Sequence, residues 1–120
     1  MILEALYGTL NPIIPAHVLI GDIEAELPFC VFRADAAPAR QKAGICGFEY
    51  VVNIGVIDNA VASVNSYSVQ VIEAIENLKG SVSGTDIIAS IQTDESGIYY
   101  ENENNVFMND LEFKVFTKNR

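Results

Sequence analysis

The sequence predicts an α+β fold: a single-layer, mainly antiparallel sheet of about four strands with a long helix packed on one face, in the order α-β-β-α-β-β. Three observations lead there. The stretch "CGFEYVVNIGVI", Cys46 to Ile57, alternates side chains at period two. The stretch "DNAVASVNSYSVQVIEAIENLKG", Asp58 to Gly80, repeats its apolar residues at the helical period. Two more period-two segments follow, at Asp86–Thr93 and Phe107–Thr117. The chain has 120 residues, the size of one domain, and residues 1–120 are read as a single α+β domain.

Taken in order, Ile2, Leu3, Leu6 and Leu10 recur near every fourth position, which predicts a short helix over residues 2–10. Pro12 and Pro15 stop it. Asn11 to Pro28 reads as a connector with a turn at Ile20–Asp22. A strand over residues 29–34 begins with "FCVF" after Pro28, where a missing N–H is harmless at a strand entrance. Asp35 to Gly44 is rich in Ala, Pro and Gly and reads as a loop holding Arg40 and Lys42. In the next strand Phe48, Tyr50, Val52, Ile54 and Val56 share one face. Asp58 or Asn59 caps the following helix. Its apolar stripe runs through Val61, Val64, Tyr67 or Ser68, Val71, Ile72, Ile75 and Leu78, and Gly80 ends it. On the next strand Ile87, Ala89 and Ile91 share a side. On the last, Leu111, Phe113 and Val115 face in while Glu112 and Lys114 face out.

Composition narrows the function. Half the residues are hydrophobic and 19% are charged, so the chain has a core and a sparse charged surface. Net charge is −9, with only seven Lys and Arg, scattered along the chain. Direct DNA binding needs cations placed against phosphates, and no basic patch is visible. The N-terminal "MILEALYGTL" lacks a basic signal-peptide start, and the longest apolar run, Ile13 to Ile20, is too short to span a bilayer. Cys30 and Cys46 match no metal spacing and read as reduced, buried thiols. A disulfide between them stays open.

No catalytic set emerges. His17 is the sole histidine and sits in an apolar, Pro-flanked segment, so it reads as structural. No Gly-x-Ser-x-Gly elbow and no glycine-rich phosphate loop occurs. The carboxylates of "TDESGIYYENENN", Thr93 to Asn105, are the remaining candidates. With Gly97 set at the turn of a calcium loop, Gln92 would be the first ligand and tyrosines would fill the middle, so the match fails. The stretch reads as a long solvent-exposed connection between two strands, where about two to five residues are usual. Exposed tyrosines favour protein interfaces. The expected contact arm therefore comprises Asp94, Glu95, Tyr99, Tyr100, Glu101 and Glu103, with Arg40 and Lys42 as a second candidate contact. No cofactor or metal is expected.

The succession of a short helix "ILEALYGTL", an "LIGD" turn, "LPFCVF", the strand "GFEYVVNIGVI" running into a long helix, and "NDLEFKVF" after Gly97 resembles the tail terminator (tail-completion) proteins of long-tailed bacteriophages and prophages. The resemblance spans nearly the whole chain and rests on element order and apolar spacing. It implies a non-enzymatic subunit that forms a ring of six copies on the tail tube, stops tube growth and meets the head–tail connector protein. DNA then passes through the lumen without specific binding, no membrane is involved, and the protein belongs to the virion tail after assembly in the host bacterial cytoplasm. The chain departs from the family where basic residues often follow the Gly-Asp turn; Ile23 and Glu24 stand there. Two alternatives accompany this reading: a head-closure, neck or minor tail protein, and a small cytosolic ligand-binding or regulatory α+β domain with a concave apolar pocket.

Overall fold

Most of the fold hangs on one long hairpin. A computed structural model describes residues 2–18, 26–41 and 44–118. Its elements are α1 (Ile2–Leu10), β1 (Ala16–Val18), β2 (Phe29–Gln41), β3 (Gly44–Asp58), α2 (Val61–Glu76), β4 (Gly80–Val82), β5 (Thr85–Glu95), β6 (Tyr99–Glu101) and β7 (Val106–Lys118). β2 and β3 pair from Phe29↔Ile57 to Gln41↔Gly44, with one register shift between Ala39 and Arg40.

This corrects the expected fold class. The sheet has seven strands in the order β1-β2-β3-β7-β5-β4, with β6 also on β7. It is mixed, because β1 runs parallel to β2, and it curls into a half-barrel. The helices are short, nine and sixteen residues. The expected four-strand layer with one long helix is therefore not the architecture.

Segments taken for loops are strands: Ala16–Val18, inside the expected connector, forms β1, and two longer stretches are also paired. Asp35 to Gln41 continues β2 despite Pro38. The reason is the edge. Among the described residues β1 covers β2 only opposite Cys30–Phe32, and no described strand lies on that side of β2 from Arg33 onward. The Cys30 N–H donates to the Pro15 carbonyl at 2.8 Å, away from β3. Period-two alternation then turns the nitrogens of Ala34, Ala36 and Pro38 to the same open side. The donor that proline lacks would have met no described strand of its own chain. The second longer stretch, Asp94 to Glu101, is the end of β5, a break at Ser96–Ile98, and β6. Gly97 accepts the break with φ +78°.

The core lies between the sheet and both helices. Leu6, Leu10, Phe32, Val52, Ile54, Val64, Val71, Ile75, Leu111 and Phe113 are essentially inaccessible. Ser68, not Tyr67, takes the fully buried place on α2, and Val61 is half exposed. The helix starts from Ala60 without a side-chain cap; the Asp58 carboxylate accepts the Asn59 N–H at 2.7 Å instead. β5 also departs from its expected face. A bulge at Ile88 reverses the alternation, so Ile87 is buried while Ile91 is 53% exposed.

A smaller cluster of Phe29, Ile57 and Val106, with Val31 and Met108, packs on the opposite, helix-free face. His17 meets the edge of Phe29 there, with ring centroids 6.0 Å apart. Cys30 is a free, buried thiol. It pairs with Val56, ten residues along β3 from Cys46, which puts the two cysteines far beyond disulfide reach.

Candidate assembly interface

The acidic stretch is a built hairpin end. β6 pairs with β7 through Tyr99↔Met108, Tyr100↔Phe107 and Glu101↔Val106, and residues 102–105 turn the chain. The Glu101 carboxylate organises that turn. It accepts the Glu103 N–H at 2.8 Å, the Asn104 N–H at 2.9 Å and the Asn104 side-chain amide at 2.8 Å. Those donors favour the charged form and hold the Glu101 carboxyl below its usual range, the Glu103 N–H most of all. Asn105 closes the turn with φ +54°, a conformation asparagine tolerates.

The tyrosines do not form one anchor. Neighbouring strand residues point to opposite faces, so Tyr99 and Tyr100 diverge. The Tyr99 hydroxyl donates to Asp110 Oδ2 at 2.7 Å on the helix-free face. Partial burial, then the Asp110 carboxylate, pushes that hydroxyl up to about 12. Tyr100 stacks at a tilt on Phe107, 5.1 Å between centroids, and donates to Asn105 Oδ1 at 2.8 Å. Both rings stay substantially exposed, at 39% and 47%. Each is held in place by its own chain, so either presents a rigid plate to a partner.

Asp94 and Glu95 separate likewise. Asp94 pairs with Glu112 on the helix-free face, while Glu95 lies opposite Leu111. Glu95 Oε2 accepts from Asn109 Nδ2 at 2.9 Å, and the same amide donates to Ser68 Oγ at 3.0 Å. Ser96 pins the break: its N–H donates to the Asp110 carbonyl at 2.9 Å, and its Oγ accepts the Asp110 N–H at 3.0 Å. Asp94, Glu95, Tyr99, Tyr100, Glu101 and Glu103 thus gather at one end of the sheet. Arg40 pairs with Ile45 near the other end of a molecule 51 Å long. Arg40 is described by its backbone alone, and Lys42, Ile23 and Glu24 lie outside the described residues.

Register links the borders of the helix-free face into rows. One row reads Arg33–Asn53–Glu112–Asp94, the next Asp35–Val51–Lys114–Ile91. Glu49 and Asp110 share this face, so its carboxylates outnumber its described cations, Arg33, Lys114 and Lys118. Two ion pairs lie on it, Arg33–Asp35 at 3.3 Å and Lys114–Glu49 at 3.1 Å. Among the described residues no group of three or more His, Cys, Asp or Glu could hold a metal ion. An open groove on α2 is lined by Val69, Ile72, Glu73, Glu76 and Asn77.

Sequence reading missed Ser96, Asn109 and Asp110, which fix the hairpin, and missed both open sheet borders. Only "NDL", two polar residues in an apolar strand, hinted at the first. Borders depend on pairing partners far away in sequence and leave no local signal.

This architecture, a curled antiparallel-rich sheet with two helices on one face, is a fold found in a virion component. The chain matches one in the solved virion of a native gene transfer agent (GTA) particle with a TM-score of 0.68. Identity is 17%, and the match covers 95% of this chain and 84% of that one. No protein-family model and no curated protein matches the sequence.

Proposed function

We propose that the protein is a structural, non-enzymatic subunit of a tailed virion, and within it a tail terminator. Six copies form a ring on the end of the tail tube, stop its growth and present a surface to the head–tail connector protein. The observation that carries this reading is the fold shared with a gene transfer agent virion chain over nearly the full length. The two open sheet borders support it, because a subunit with different free edges on its two sides can join head to tail into a closed ring.

The hairpin end with Tyr99, Tyr100, Glu101 and Glu103 meets the tube or connector, and the β2–β3 arm reaches from the other end. The helix-free face lines the bore. Its excess of carboxylates repels phosphates and lets DNA slide without sticking. Assembly takes place in the bacterial cytoplasm.

Micrographs of particles made without this protein test the reading. Overlong tails, or tails without heads, are expected. Full heads that leak beside tails of normal length would instead indicate a head-closure protein, and unchanged particles would remove the virion role.

A further inference from the structure

We propose that the open border of β5 in one copy pairs antiparallel with the open border of β2 in the next, and that Arg33 meets Asp94 across this seam. The inference rests on the ring reading and names the contact between its subunits.

The borders match in length and direction. Among the described residues β4 covers β5 only at Thr85–Ile87, which leaves Ile88 to Glu95 uncovered; β2 is uncovered from Arg33 to Gln41, with N–H donors for the seam at Ala34 and Ala36 and none at Pro38. The pairs β2·β3, β3·β7 and β7·β5 are all antiparallel, so β2 and β5 run in opposite directions. Copies related by rotation about a ring axis keep their orientation. β2 of one copy beside β5 of another then continues the antiparallel order.

Side chains agree. Arg33 and Asp94 stand at the two ends of one row, so a neighbouring copy placed in line brings guanidinium and carboxylate together. Ile88 and Ile91, 54% and 53% exposed, flank the β5 border and lose water there. Ala34 and Ala36 on β2 let a strand approach closely. Pairing β5 antiparallel with itself over Ile88–Glu95 would set Asp94 near Ala89 and Glu95 near Ile88, so neither carboxylate would meet a cation. Head-to-tail joining avoids this.

Sedimentation of the full chain over micromolar to millimolar concentrations tests the seam. Arg33→Glu and Asp94→Lys are each expected to raise the concentration for assembly about tenfold or more, and the double variant to return within about threefold of the wild type. Glu76→Lys, on the outer side of α2, controls for net charge and should not shift it. Circular dichroism verifies folding, and amide exchange on the wild type gives a second readout, with Ala34 and Ala36 slowing on association. If the wild type assembles but single reversals have no effect, the double is no better, or those amides stay fast, the seam is overturned and the ring stands. A wild type that stays monomeric throughout overturns both.

Discussion

Asn109 Nδ2 donates to Ser68 Oγ at 3.0 Å inside the core, tying β7 to α2, and the same amide reaches Glu95. Asn109 is 1% exposed, so this is a buried polar tie between sheet and helix. Asn109→Ala should cost about 2 kcal/mol, because it strands buried polar groups, and Ser68→Ala about 1 kcal/mol. A double-mutant cycle by urea unfolding is expected to show coupling of about 1 kcal/mol. Strict additivity would mean that the bond contributes nothing.

The turn at residues 102–105 depends on one carboxylate. Glu101→Ala removes the acceptor for Glu103 and Asn104, and their amides should exchange several-fold faster while core amides do not change. Acid should act in the same direction. The Glu101 carboxyl is held low in the folded chain, so its contribution is present at neutrality and lost as pH falls through the folded value. Equal exchange rates in mutant and wild type would refute this role.

Alkali should unfold the protein through two groups. Burial pushes the Cys30 thiol from 9.0 up to about 12, and Tyr99 rises from 10.0 to about 12. Above about pH 9 the unfolded chain releases protons that the folded chain keeps, so stability falls as pH rises toward 12. Denaturant midpoints from neutrality to about pH 11 should fall in the wild type, and fall less steeply in Cys30→Ala and in Tyr99→Phe. Parallel slopes in all three would contradict the assignment.

The charge of the helix-free face predicts its response to DNA. Wild-type protein should not bind duplex DNA even at low salt. Glu49→Lys with Glu112→Lys should bind it, with affinity that falls steeply as salt rises. Wild-type binding of comparable strength would remove the non-adhesive bore.

The helices and the centres of the long strands could be read from the sequence, because each carries its own periodicity. Ile2, Leu6 and Leu10 mark α1, and the alternation through Val52, Ile54 and Val56 marks β3. What stayed hidden was decided by neighbours. Asp35 to Gln41 has a loop's composition, yet β3 supplies a partner and the open side tolerates Pro38. "ENENN" reads as solvated chain, but only residues 102–105 turn; Tyr99–Glu101 finds β7. Ile88 sits in a bulge that no spacing rule anticipates, so the face assigned to Ile91 was reversed. The acidic residues of the candidate site were visible as a group. Their division between two faces, and the roles of Ser96 and Asp110, arise only from pairing.

Pro38 gives the free chain a safeguard. An exposed strand edge invites any other strand to add, and repeated addition leads to fibrils. Along β2 such growth can proceed from Arg33 to Ala37, where the next backbone position offers no hydrogen. A stranger strand therefore finds a short foothold, too little to hold without a matching partner surface. One imino acid on an otherwise open margin thus limits strand addition by backbone alone to the short stretch before it.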